Sequence, residues 1–485
     1  DAANGRSADH ANWADAQLVV GATPPPPPPG SSVPRERVIG GLNQPTTFEW
    51  LPNGELMFIA EKGGIVKVFG STGLRPTPFI DISSQVNDTV DRGLLGLAVD
   101  PFFGQNQGRD YVYLLFTYDP PQTQGSGGLA GPDESGNRPA RLIRVTANPA
   151  TNYTTALPNS EVILLGKNSL WQYTSRPDID STVNFSILPS GIVNGSSITA
   201  PAALIEDPDA NNVGLDYRST DTDFDRNNNI RDYLAGDSTS HSIGQLKFGL
   251  DGALYVTVGD GTSYNGVDPR STRVQDVDSL SGKLLRIDPL TGRGFSDNPF
   301  YNGNLESNRS KVWSLGLRNP FRFTIQPSTG ALYLGDVGWT TWEEINIATK
   351  GGNFGWPYFE GNAQNSGYSP LPQAQAFYST GQSIAPFFSR HHDANQNPDG
   401  RGTTALIMGD FYTGNTFPAI YNGALFYNDV GQGTVYTTFL NADGTIRSTQ
   451  VFDEVPYIVD METGPDGNLY YASLYDGEIG RWKPA

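Results

Sequence analysis

"FGLDGALYVTVGD" (residues 248–260) reads as the end of one strand, an Asp-Gly turn and a second strand. After the turn, Leu254, Val256 and Val258 alternate with Ala253, Tyr255 and Thr257, the period of two that marks a pleated strand. The same phrase recurs as "LPNGELMFIAEKGGIVKVF" (51–69), "QPSTGALYLGDVG" (326–338), "YNGALFYNDVGQGTVYTTF" (421–439) and "GPDGNLYYASLYDGEIGRW" (464–482). Each pairs Asn-Gly, Asp-Gly or Thr-Gly with a short apolar-aromatic run, which is hairpin chemistry. The recurrences reach both ends of the chain, with no helix-period segment between them. So many antiparallel strands are closed most naturally by radial repetition, and at roughly 75 residues per four-stranded blade the length gives about six blades. The expected fold is therefore all-β, a six-bladed β-propeller over residues 35–485. Two stacked sheets are the alternative.

Composition agrees with many short strands. The 485 residues include 56 Gly and 36 Pro, with a low charged fraction of 17% and enough apolar residues, 37%, to fill a large core. There are 32 basic against 51 acidic side chains, a net charge of −19. Phosphate backbones and anionic lipid would repel such a chain, so neither a nucleic-acid partner nor a membrane surface is expected. No apolar run is long enough to span a bilayer, and membrane insertion is not expected either. Oxygen-rich acidic loops suit calcium instead. The absence of cysteine excludes disulfides, thiolate metal sites and a cysteine nucleophile. The first residue is Asp1 rather than methionine, as in a processed chain, and the expected location is secreted, periplasmic or extracellular.

Residues 1–34 stand apart. "DAQLVVGATPPPPPPGSS" sets a short apolar stretch before the run Pro24 to Pro29. Six prolines form an extended rod, and the flanking Gly-Ser makes a joint. We expect an arm docked on its own domain or on a neighbour, either as an added strand or in an aromatic-lined groove, and so a route to a homo-oligomer or another protein partner.

The most specific local motif is "DTDFDRNNNIRD" (221–232). Asp221, Asp223, Asp225, Asn227 and Asn229 alternate, and Asp232 closes twelve positions, as the oxygen ligands of an EF-type calcium loop do. Arg226 stands where such loops carry glycine. A frame starting at Asp223 puts Asn228 there but loses the closing acid. In "HHDANQNPDG" (391–400) the adjacent His391 and His392 cannot easily share a metal, and a turn-rich surface loop is expected. No G-x-S-x-G elbow, P-loop or H-E-x-x-H is present. Glu343 and Glu344 alternate in a strand, so no carboxylate pair is marked out for glycoside hydrolysis.

His241 lies in "SHSIGQLKFGLDGALYVTVGD" (240–260). With "VDRGLLGLAVDPFF" (90–103), "LSGKLLRIDP" (280–289), "DNPFYNG" (297–303) and the long "KVWSLGLRNPFRFTIQPSTGALYLGDVGWTTWEEINIATKGGNFGWPYFEG" (311–361), it resembles the glucose/sorbosone dehydrogenase family. That family includes soluble quinoprotein sugar dehydrogenases and Hedgehog-interacting-protein-like propellers. The resemblance covers most of residues 36–483 in order. It implies a six-bladed propeller with pyrroloquinoline quinone (PQQ) over the central channel beside calcium. His241 matches the family's catalytic base, Arg318 and Asn319 its cofactor-binding Arg-Asn pair, and Gly338 and Trp339 the positions whose carbonyls hold calcium. Asp91 falls where the family has a polar residue near the cofactor. The chemistry suits these types: a neutral imidazole accepts a proton near pH 7, and a guanidinium binds quinone oxygens.

Some positions depart from that pattern. Gly431, Tyr457 and Val459 stand where soluble glucose dehydrogenases carry a lysine and two arginines, and Val337 replaces a polar side chain. Gly259 and Asp260 are expected to end their strand outside the site. Two functions follow: a PQQ-dependent oxidation of an aldose or related polyol, or a non-catalytic, calcium-stabilised propeller that binds a glycan or protein.

Overall fold

The computed structural model describes residues 33–105, 107–193, 197–206 and 228–484. Residues 1–32 of the arm, and Asp221, Asp223, Asp225 and Asn227 of the acidic loop, lie outside the described residues.

Among the described residues, five antiparallel four-stranded sheets and one five-stranded sheet make six blades that follow one another along the chain. Blade I opens with Pro45–Trp50, Leu56–Glu61 and Ile65–Gly70. Blade II holds Leu94–Val99, Tyr111–Thr117, Ala140–Thr146 and Val162–Leu165. Blade III holds Leu246–Phe248, Leu254–Val258, Lys283–Ile287 and Val312–Leu315. Blade IV holds Arg322–Ile325, Leu332–Asp336, Trp342–Ala348 and Phe388–His391. Blade V holds Leu406–Phe411, Leu425–Asp429, Thr434–Leu440 and Ile446–Glu454. Blade VI takes Ile458–Thr463, Leu469–Ser473 and Glu478–Trp482 from the end of the chain, and Arg35–Gly40 from its start. That last pairing, Arg35 opposite Trp482 through Gly40 opposite Glu478, closes the ring. A closed ring leaves no sheet stack to choose, so the architecture is the six-bladed propeller.

The opening hairpin shows why these sequences make blades. Gly252 turns with φ +76°, and the Asp251 carboxylate accepts the Ala253 N–H at 3.1 Å, which sets Phe248 opposite Leu254. Every residue of Leu254–Val258 is buried, unlike a half-exposed strand. Leu254 and Val256 pack against blade II, and Ala253 and Tyr255 pack against blade IV. The period of two therefore feeds two cores, one on each side of the blade. Six such interfaces form the interior, and the last, between blades VI and I, joins Ile39 and Ile479 to Phe48 and Met57.

One element departs from the expected absence of helix. Pro372–Thr380 is α-helical, with proline in its first turn and Gly381 as a left-handed cap at φ +62°. It belongs to an insertion in blade IV that also carries the hairpin Phe359–Glu360 with Ala363–Gln364. Among the described residues, no helix is long and apolar enough to cross a membrane.

Candidate active site

The first strands of neighbouring blades pack together around the axis. At the end where they begin, the loops enclose a cavity of about 630 Å³ to which all six blades contribute, within the range of about 300–1,000 Å³ usual for small-molecule sites. Its walls are largely apolar, with Leu95, Ile407, Val430 and Val459. Its polar groups include His241, Arg318, Asn319, Asp91 and Lys62. A second cavity, about 470 Å³, opens at the opposite face beside Glu49 and Glu462. It offers no imidazole, and Glu462 is paired with Lys247.

His241 owes its position to an unusual backbone. Its φ is +55°, a left-handed conformation that histidine adopts more readily than most side chains. Its carbonyl accepts the Gly261 N–H at 2.8 Å, and a Cβ on Gly259 would lie 2.2 Å from that same oxygen. The turn after Val258 is thus glycine-rich because it packs flat against His241. Asp260, in that turn, does not stay outside the site as the sequence suggested. Its Oδ1 lies 3.2 Å from His241 Nδ1, while it also accepts the Thr262 N–H at 2.9 Å and the Trp356 indole N–H at 2.9 Å. This assigns the ring proton to Nδ1 and leaves Nε2 as the acceptor. Burial and the Arg318 charge push the imidazole's pKa below its usual value, against the pull of Asp260. Burial alone would raise the Asp260 carboxyl, but His241 and Arg318 outweigh it and hold it below the usual carboxylate range. His241 is therefore a buried, neutral and oriented base near pH 7.

Arg318 and Asn319 are held by one carboxylate. Asp336 accepts the Arg318 N–H at 3.0 Å and the Asn319 N–H at 2.7 Å. Burial pushes Asp336 up to about 7 despite those amides. The Arg318 guanidinium lies 5.3 Å over the Trp356 ring, and its Nη1 donates to the carbonyls of Val337, at 2.9 Å, and Gly338. Its Nε is buried with no hydrogen-bond partner. Asp91, at the rim, accepts the Ser240 hydroxyl at 2.6 Å, one residue before His241.

The loop after Asp336 is anchored from behind. Glu360 Oε1 accepts the N–H groups of Trp339, Thr340 and Thr341 at 2.8 Å and of Trp342 at 3.1 Å. Glu343 accepts Gly338 N–H at 3.1 Å and Leu406 N–H at 2.9 Å, and lies 3.1 Å from His392 Nε2. Burial pushes Glu343 well above the usual carboxylate range. A Cβ on Gly338 would lie 1.5 Å from the Trp342 carbonyl, so only glycine fits. His392, expected on a surface loop, is buried against Glu343. Glu343 and Glu344 serve different partners, Glu344 accepting from Gly361 and Asn346.

The remaining positions divide as follows. Gly338 and Trp339 both line the cavity, but the Gly338 carbonyl accepts from the Arg318 guanidinium. Asn229 donates to Asp276 at 2.6 Å. The Asp232 carboxylate accepts the Gly166 and Lys167 amides at 3.2 and 3.1 Å and faces Lys311 at 3.4 Å. Val459 and Val337 form apolar wall. Gly431 lies against Thr404, whose Oγ1 would be 2.0 Å from a Cβ there. Tyr457 stands 41% exposed, edge-on to Tyr475 at 5.1 Å.

Sequence reasoning missed Asp260, Glu360, Trp356 and Lys62. A signal existed for Lys62. Residues just past the second strand of a blade repeatedly reach the cavity, as Val337, Val430 and Leu474 do, and Lys62 follows Leu56–Glu61 in the same way.

A family model described as Glucose / Sorbosone dehydrogenase matches residues 214–481, more than half the chain. The HIPL2 protein of Arabidopsis thaliana is 29% identical over 377 residues, 73% of this chain and 44% of that protein. Aldose sugar dehydrogenase YliI of Escherichia coli (strain K12) is 32% identical over 237 residues, 48% of this chain and 56% of that protein. The chain spans about half the length of these curated relatives. A glucose dehydrogenase crystal structure shares the fold, with TM-score 0.61 and 21% identity over 93% of this chain and 100% of that one. With the family's propeller closed around an axial cavity and the match running from residue 214 to 481, the chain belongs to the glucose/sorbosone dehydrogenase family.

Proposed function

We propose that this propeller is a secreted sugar dehydrogenase that oxidises an aldose or related polyol in the axial cavity with PQQ as the acceptor. The observation that carries this reading is His241, buried in the cavity wall with Nδ1 held by Asp260 and Nε2 left to accept a proton. When bound, PQQ supplies a two-electron acceptor for hydride. The residues present fit a planar, anionic quinone. The walls are apolar, Arg318 is cationic, and its Nε is a buried donor without a partner, the kind of group a ligand oxygen satisfies. His241 takes the substrate's hydroxyl proton at Nε2, and Asp260 stabilises the imidazolium that results. Arg318 and Asn319, fixed through Asp336, orient the acceptor. Apolar walls exclude water and strengthen each of these interactions. Calcium enters no step here.

The absence of charge at Gly431, Tyr457 and Val459 favours a second reading: a non-catalytic propeller that binds a glycan or protein. Purified protein mixed with PQQ, with and without calcium, separates the two. The first reading expects binding at micromolar concentration and oxidation of aldoses coupled to an artificial dye. No binding in either condition supports the second.

Asp260→Asn distinguishes a positioning role from mere packing. Asp260 raises the imidazole's pKa, so removing its charge lowers that pKa further and moves the acid limb of kcat/KM to lower pH. Losing a charge-assisted hydrogen bond also lowers turnover by about 10–150-fold. An unmoved acid limb contradicts the role.

A further inference from the structure

We propose that Lys62 is the anion anchor of the axial cavity, holding a carboxylate of the ligand in place of the cations absent at Gly431, Tyr457 and Val459. This deepens the PQQ reading and rests on it for the ligand's identity, but the anion preference stands on Lys62 itself. The residue is only 8% exposed, yet it lines the cavity. Among the described residues its ammonium has one acceptor, the Asp88 carbonyl, and no carboxylate lies within ion-pairing distance. An ammonium offers three donors, so two remain for a ligand. A buried charge without a counter-ion is costly, and a ligand carboxylate would supply the missing partner. Burial accordingly pushes the Lys62 pKa below its usual value, against the more distant pull of Asp88, Asp91 and Asp133.

The surroundings are built to hold the side chain there. A Cβ on Gly93 would lie 2.7 Å from Lys62 Cγ and 2.8 Å from its carbonyl oxygen, so glycine lets the chain lie flat on the lysine stem. The Lys62 carbonyl accepts the Leu94 N–H at 2.8 Å, and its own N–H donates to Gln44 at 2.9 Å. Blade I, which carries Lys62, adjoins blade VI, where Tyr457 and Val459 stand. Lys62 and Val459 thus line the same cavity from adjoining blades. With Arg318 in the connection from blade III to blade IV, the two positive groups approach the cavity from different parts of the ring, which suits a ligand with more than one carboxylate.

The test compares wild type with Lys62→Met and Lys62→Arg. PQQ affinity is expected to fall about 10–100-fold in Lys62→Met and to stay within about threefold in Lys62→Arg. Without ligand, Lys62→Met should denature at an equal or higher midpoint, because an uncompensated buried charge has been removed. PQQ binding as tight in Lys62→Met as in wild type overturns the inference and leaves the PQQ reading intact. If wild type fails to bind PQQ, that reading falls, and pyridine-2,6-dicarboxylate and citrate decide this one. A thermal shift in wild type that vanishes in Lys62→Met supports the anchor, and no shift in wild type, or an equal shift in both, overturns it.

Discussion

His241→Ala lowers dye-coupled sugar oxidation by about 10²–10⁴-fold, the usual worth of a general base, while PQQ affinity stays within a few-fold. The asymmetry follows from the partners. Removing the imidazole takes away the group positioned to accept the hydroxyl proton. It leaves Asp260 bonded to Thr262 and Trp356, and it leaves Arg318 and Asn319 bonded to Asp336. Asp260 loses one partner but keeps two donors and the Arg318 charge, so the fold is retained and the loss falls on turnover. Turnover within tenfold of wild type, with PQQ bound, would remove His241 from the role of base.

Glu360→Ala should cost about 2–5 kcal/mol of stability, because one oxygen satisfies four consecutive backbone N–H groups, from Trp339 to Trp342. Some of these amides can turn to water, which keeps the total below four full penalties. Glu360→Gln keeps an acceptor oxygen and should lose much less. The loop also carries Gly338, whose carbonyl holds Arg318, so Glu360→Ala should weaken PQQ binding as well. Denaturant midpoints and a PQQ titration check both parts. An unchanged midpoint in Glu360→Ala would show that water replaces the carboxylate fully.

The blades were legible because each is built from contacts close in sequence. The turn residues, such as Asp251 and Gly252, and the alternation after them act within a few positions of one another. The helix Pro372–Thr380 was not legible, since its buried residues are Gln373, Ala374 and Phe377, too few apolar positions to show a helical period. His241, Arg318 and Asn319 were found through the resemblance, and the structure brings them to one cavity with Asp91, Gly338 and Trp339. Asp260 was missed because its approach to His241 depends on a left-handed backbone at His241 that no pattern announces. Glu360 reaches Trp339 from 21 residues on, out of an insertion. The engagement of Gly338 by Arg318 depends on side-chain direction, which composition and spacing do not carry. The acidic run from Asp221 to Asn227 lies outside the described residues, and its calcium affinity remains an expectation.

The most direct test of the central claim is a single turnover. Protein loaded with stoichiometric PQQ is mixed rapidly with a panel of aldoses, and the oxidised quinone's absorbance is followed. Loss of that absorbance in wild type at a rate that rises with sugar concentration, and its slowing by about 10²–10⁴-fold in His241→Ala, is the result this account predicts. Bound PQQ whose spectrum no sugar alters, in wild type, would contradict it.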